Sequence, residues 1–210
     1  MTDRQVYPLL TLRATGLSCG RGGMVLADGL DFSVSNGYCL LLRGPNGTGK
    51  TTLLLTLAGI VAPLAGAFAI QGSDEDARQL HYCGHRNAIK PRLSVLENLA
   101  FWAAVNGPTG LDPDVALDEV GLGGLDALDA GYLSAGQSRR LALARLLVSH
   151  RPLWLLDEPT ASLDVEGHEL VTRLIDRHLD IGGIAIAATH DPITLPDAAR
   201  METLALGGPQ

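Results

Sequence analysis

From Gly44 to Thr51 the chain reads Gly-Pro-Asn-Gly-Thr-Gly-Lys-Thr, and this stretch constrains the fold more than any other. Its spacing is G-x-x-x-x-G-K-[ST], placed directly after an apolar run, Tyr38 to Arg43, and directly before a helical pattern. Glycines let the backbone turn tightly enough for successive N–H groups to face one anion, and the following helix points its positive dipole end at the same place. The candidate phosphate-binding residues are therefore Gly44, Pro45, Asn46, Gly47, Thr48, Gly49, Lys50, Thr51 and Thr52. Lys50 would bridge the β- and γ-phosphates of a nucleotide, and the Thr51 hydroxyl would hold Mg²⁺.

The rest of the chain supplies an α/β setting for that loop. Short apolar runs predict strands at Leu9 to Arg13, Tyr38 to Arg43, Ala67 to Ile70, Leu80 to Cys83, Leu153 to Asp157, Ile184 to Thr189 and Thr203 to Leu206. Between about Arg86 and His150 no strand is predicted, and helices are expected at Val95 to Val105, Asp114 to Val120 and Gly136 to His150. Ser94 with Glu97, and Ser134 with Gln137, have the spacing of capping boxes. One domain is expected over 1–210, with a core of 1–85 and 151–210 and a helical subdomain of 86–150. Thr51 to Ser73 carries no charge, as a membrane span would, but Gly59, Pro63 and Gly66 break it into a helix, a loop and a strand.

Charge and cysteine usage narrow the class of partner. With 16 Lys plus Arg against 23 Asp plus Glu, the formal net charge of -7 offers a nucleic-acid backbone no global attraction. Three cysteines without close pairing build neither a disulfide framework nor a zinc site, which suits a reducing cytoplasm. Asp3 and Arg4 precede only a very short apolar stretch, so no signal peptide is expected.

Further along, Leu153-Trp-Leu-Leu-Asp157-Glu158 is an apolar run ending in two carboxylates that alternate in direction. Asp157 is the candidate Mg²⁺ partner, and Glu158 the candidate base for an attacking water. Leu133-Ser-Ala-Gly-Gln137 opens a helix whose free N–H groups form an anion-binding end, although the chain holds no second phosphate loop to serve it.

The order of these segments resembles the ATP-binding cassette ATPases over nearly the whole chain, from about Leu9 to Leu206. That resemblance implies a P-loop NTPase fold of the ABC type, an α/β core with antiparallel β elements and an inserted α-helical subdomain. It also implies ATP hydrolysis with Mg²⁺ in a head-to-tail dimer, where Ser134, Gly136 and Gln137 of one copy contact the γ-phosphate held by the other. Ser162-Leu163-Asp164 matches the loop that communicates across such a dimer, and His190 matches the switch histidine that bonds the γ-phosphate. Two positions depart from the family pattern. His85 stands where most cassettes carry glutamine, and its imidazole could still accept from a metal-bound water. Around Cys19-Gly20-Arg21-Gly22 the usual adenine-stacking aromatic is missing, which leaves the Arg21 guanidinium plane to face the base.

The Gly84-His85 pair and the run from Tyr132 to Leu147 further resemble the subfamily that energises heme export for cytochrome c biogenesis in Gram-negative bacteria. Integral membrane permease subunits of the cytochrome c maturation system are the partners so implied, met at the cytoplasmic face of the inner membrane. A short membrane-subunit helix would enter near His85 to Phe101, where Leu93, Leu96, Phe101 and Trp102 are equally explained as helix core. His81, Cys83 and His85 alternate along one strand face, a spacing that a buried strand explains without a metal. The alternatives are a cassette energising another transporter and a scaffold that binds ATP without hydrolysing it.

Overall fold

The computed structural model describes residues 7–72 and 80–207, so Asp3, Arg4 and Ser73 lie outside the described residues. The chain begins with an antiparallel hairpin, β1 (Thr11–Arg21) and β2 (Met24–Ser35), joined through Gly22 and Gly23. Strand β4 (Ala65–Gln71) pairs with the other side of β1, giving a sheet of order β2-β1-β4. The second sheet is parallel throughout. It contains β3 (Cys39–Arg43), β5 (Leu80–Cys83), β6 (Leu153–Asp157), β7 (Ile184–Ala188) and β8 (Met201–Ala205), in the order β5-β6-β7-β3-β8.

Alternating side chains of the parallel strands divide the molecule into two cores. Cys39, Leu41, Trp154, Leu156, Ala185 and Ala187 face helix α5 (Val165–Asp180) and the helical insertion. Leu40, Leu42, Leu153, Leu155, Ile184 and Ile186 face helix α1 (Lys50–Leu57) and the antiparallel sheet. Because both faces are covered, these strands are continuous apolar runs rather than alternating ones, which is why they stand out in the sequence.

Between β5 and β6 the described chain is helical: α2 (Val95–Asn106), α3 (Pro113–Glu119), a 3-10 turn at Ala130–Tyr132, and α4 (Ala135–Ala144). Both predicted capping boxes form, with Ser94 Oγ accepting from Glu97 N at 3.1 Å and Ser134 Oγ from Gln137 N at 3.2 Å. Helix α4 stops well short of the expected His150. The carbonyls of Leu147 and Val148 instead accept from Leu111 and Gly110 of the preceding loop, and Leu146 and Leu147 close only tight turns onto Leu143 and Ala144. The stretch from Thr51 divides as expected into α1, a loop and β4.

Two elements escape the sequence reading. Strand β2 alternates irregularly, with Asp28, Gly29 and Asp31 interrupting its apolar positions and a shifted register against β1. Helix α5 is an ordinary amphipathic helix, with Leu170, Val171, Leu174 and Ile175 buried and Asp164 capping its start through Gly167 N at 2.9 Å. No helix among the described residues is long and apolar enough to cross a membrane.

Candidate active site

The phosphate loop joins β3 to α1 and folds around glycine positions that no other residue fits. Gly49, the N-cap of α1, has φ 97°, and a Cβ there would stand 2.9 Å from Leu26 Cβ. A Cβ on Gly44 would meet the Leu206 carbonyl oxygen at 2.3 Å. Lys50 is nearly buried, and its Nζ donates to the carbonyls of Gly44 and Pro45 at 2.6 and 2.9 Å, so the ammonium lies over its own loop. The adjoining cavity of about 250 Å³ is lined by Asn46, Gly47, Gly49, Lys50, Thr51 and Thr52 on one side and by Leu26, His85, Asp157 and Glu158 on the others.

Thr51 Oγ1 lies 3.1 and 3.0 Å from the two carboxylate oxygens of Asp157, to which it donates. Burial pushes the Asp157 carboxyl above its ordinary range, and the neighbouring Glu158 charge adds to this against the Thr51 bond, His85 and Arg139. A hydroxyl and a desolvated carboxylate form a hard oxygen donor set of the kind that takes Mg²⁺, which draws its remaining oxygens from phosphates and water. The donor set therefore fits the ion.

The next residue, Glu158, lines the same cavity but has left the strand. Glu158 lies just past β6 with φ 49°, left-handed backbone that costs a non-glycine residue of order 1–3 kcal/mol. Its amide is held by the Ala188 carbonyl of β7 at 2.7 Å. Its carboxylate meets His190 twice, accepting from the backbone N at 3.4 Å and lying 3.5 Å from Nε2. His190 Nε2 also lies 2.7 Å from Asn46 Oδ1, so the histidine bridges Glu158 to the phosphate loop.

All of these groups stand at the C-terminal ends of β3, β5, β6 and β7, adjacent strands of one parallel sheet, where α/β folds place their ligands. The candidate residues of the signature segment stand apart. Ser134, Gly136 and Gln137 do not line the cavity; Ser134 is exposed, and its capping box with Gln137 is closed within the chain. Gly136 packs against the loop after the carboxylates, where a Cβ would lie 3.0 Å from the Ser162 carbonyl oxygen. Arg140 pairs with Asp164 of that loop at 3.3 Å.

His85 borders the cavity together with Asp157. Arg21 does not reach it. Arg21 is exposed at the end of β1 and borders a larger groove of about 940 Å³, which it shares with Thr51, Tyr82, His85, Trp102 and Asp157. The apolar wall beside the phosphate loop is Leu26, which sequence reasoning missed because nothing marks β2 as a strand. Arg43 was missed as well, although it donates to the Thr189 and Asp191 carbonyls at 2.7 and 3.0 Å and so holds the segment around His190. Of the alternating trio, His81 is buried with Nε2 2.7 Å from the Ser149 carbonyl oxygen, and Cys83 is buried in the core.

Comparison with known proteins matches residues 27–161 to the family model described as ABC transporter, more than half of the chain. A cytochrome c biogenesis ATP-binding export protein, CcmA, of Rhodopseudomonas palustris (strain BisB5) is 52% identical over 185 residues, covering 87% of this chain and 92% of that protein. The protein of the same name from Ruegeria pomeroyi is 51% identical over 181 residues, covering 86% and 85%. Among solved structures, an ABC transporter ATP-binding protein from Pyrococcus furiosus superposes with a TM-score of 0.79 at 24% identity, covering 92% of this chain and 97% of that one. A dimeric ATP-binding cassette bound to ADP and Pi in a post-hydrolysis state superposes at 0.74 with 21% identity, covering 86% and 88%. At these identities the solved structures speak for the fold, while the sequence relatives speak for the family. This chain belongs to the ABC transporter family, as an ATPase closely related to the CcmA proteins.

Proposed function

We propose that the chain is the ATP-hydrolysing subunit of a transporter that exports or delivers heme for cytochrome c biogenesis. In this reading it works as a head-to-tail pair on the cytoplasmic face of a bacterial inner membrane, against the permease subunits of the cytochrome c maturation system. The observation that carries the chemistry is the meeting of Lys50, the Thr51–Asp157 pair and Glu158 around one cavity, with His190 paired to Glu158 beside it. The cargo assignment is supported by identity of 45% or more to proteins named for cytochrome c biogenesis over most of both lengths.

The roles follow from the side chains. Loop N–H groups and the start of α1 cradle the phosphates, and Lys50 turns from its own loop carbonyls to the β- and γ-phosphates. Thr51 and Asp157 would hold Mg²⁺, which would supply charge neutralisation on the phosphate oxygens. Glu158 accepts the proton of the attacking water, and His190, bonded to that carboxylate, orients it and meets the γ-phosphate. Ser134, Gly136 and Gln137 of the second copy close over the same phosphate. His85 borders both the cavity and the larger groove. A membrane-subunit helix seated there would touch Trp102 of the helical insertion and Leu55 of α1, within reach of groups that feel the nucleotide. Phe101 is exposed, edge-on to Trp102 at 5.4 Å with Lys90 Nζ 4.3 Å from its ring centroid, while Leu96 is partly buried against the core.

Affinity capture of the chain from its native membranes, with Pi release measured beside a Lys50→Ala control and dimerisation measured for Glu158→Gln, tests the proposal. Capture of cytochrome c maturation permeases with Lys50-dependent turnover is expected, as is a Glu158→Gln dimer at saturating MgATP. Capture of other permeases would remove heme from the reading. A monomeric Glu158→Gln chain would remove the paired site.

A further inference from the structure

Arg139 lies one turn into α4, beyond Ser134 and Gly136, and is 2% exposed. Such burial is unusual for a guanidinium, and none of the ion pairs among the described residues includes it. Its fork is nonetheless fully used. Nε donates to the Pro159 carbonyl at 3.2 Å, Nη1 to the Gly84 carbonyl at 2.9 Å and to Asn87 Oδ1 at 3.0 Å, and Nη2 to the Asp157 and Glu158 carbonyls at 2.8 and 2.7 Å. These contacts occupy all of the donors an arginine has.

The acceptors come from two segments that the site depends on. Gly84 and Asn87 bracket His85, and Arg145 of the same helical stretch adds a bond to the Asn87 carbonyl at 3.0 Å. Asp157, Glu158 and Pro159 form the turn that carries both carboxylates, and Glu158 holds a left-handed conformation that must be restrained from both sides. Ala188 holds its amide, and Arg139 holds its carbonyl. A side chain whose only task was to fill space would not require a charged fork here, because burying a charge without a carboxylate partner is costly.

We propose that Arg139 is a positioning residue that fixes the Glu158 turn and the His85 loop to the signature helix of the same chain. A nucleotide of the second copy, seated on Ser134 to Gln137, then bears through α4 on the backbone of the carboxylate that serves this chain's own nucleotide. The two composite sites are thereby coupled. This inference rests on the paired-site reading above.

The test is MgATP hydrolysis by the full chain in its membrane complex, as Arg139→Gln and as Arg139→Lys, with kcat normalised to titrated nucleotide-binding sites. Lysine keeps the charge, but its ammonium has too few donors for these acceptors and cannot span the two segments. The expected result is a kcat at least tenfold lower in each variant, a KM within about threefold of the parent, and a Hill coefficient falling from above 1 to 1. Normalisation to binding sites removes the effect of unfolded protein, and if the glutamine variant does not fold, the lysine variant decides. Equal kcat per binding site in the folded variants overturns the role of Arg139. A parent that hydrolyses ATP with a Hill coefficient of 1 overturns the coupling alone, and a parent with no hydrolysis fails at the reading beneath it.

Discussion

Thr51 shows how much a single hydroxyl can carry. It is the first residue after Lys50, it bonds both oxygens of a buried carboxylate, and it belongs to the proposed Mg²⁺ set. Thr51→Val keeps the shape and removes the hydroxyl, leaving Asp157 without that donor in a desolvated position. A stability loss of about 1–3 kcal/mol is expected in denaturant unfolding, because an unpaired buried polar group costs that much. The Mg²⁺ concentration giving half-maximal hydrolysis should also rise about tenfold, and an unchanged Mg²⁺ titration would remove Thr51 from the ion site. Residues of this kind are legible in sequence because the phosphate loop sets their spacing. Arg43 and Leu26 were not legible, since their partners lie on segments remote in the chain: Arg43 holds carbonyls just beyond β7, and Leu26 of β2 stands against Gly49 at the start of α1.

At the scale of elements, the two capping boxes form a matched pair. Ser94 starts α2 and Ser134 starts α4, with the same reciprocal bonds to Glu97 and Gln137. Ser94→Ala and Ser134→Ala should each cost about 1 kcal/mol of stability, the usual loss of an N-cap oxygen. Only Ser134 lies in the proposed phosphate-contacting segment, so only Ser134→Ala should lower hydrolysis, by tenfold or more at saturating MgATP. Parallel losses of activity in both variants would reduce Ser134 to a cap. Helix starts such as these are written locally, in a serine and the residue three positions later. The end of α4 is not, because carbonyls at Leu147 and Val148 are claimed by Leu111 and Gly110, far away in the chain.

For the whole molecule, pH reports how the cores are assembled. Burial pushes His81 down to about 4 and His178 down to about 3; His178 is stacked on Trp154 with ring centroids 3.9 Å apart. Both are neutral in the folded chain at pH 7, while the unfolded chain binds protons near pH 6.5. The stability they contribute is therefore complete above that value and is lost as pH falls toward 4, by about 2 kcal/mol per histidine at pH 5. Asp157, whose carboxyl burial holds above its usual range, pulls the other way, since its folded form binds a proton more readily than the unfolded chain. Denaturant midpoints should thus drop from pH 7 to pH 5, and His81→Gln should flatten that drop; a profile already flat in the parent would contradict the burial of both rings. In the chain itself, local spacing determined the phosphate loop, the helix starts and the apolar parallel strands, because each depends on neighbours a few residues apart. Tertiary structure alone decided that His85, Asp157 and Glu158 share a cavity with Lys50 and that His190 reaches Asn46 of the same loop, since that requires the order β5-β6-β7-β3, which no stretch of sequence states. It likewise decided that one buried arginine, Arg139, finds all of its acceptors on segments remote from its own helix, because carbonyl positions exist only once the chain has folded.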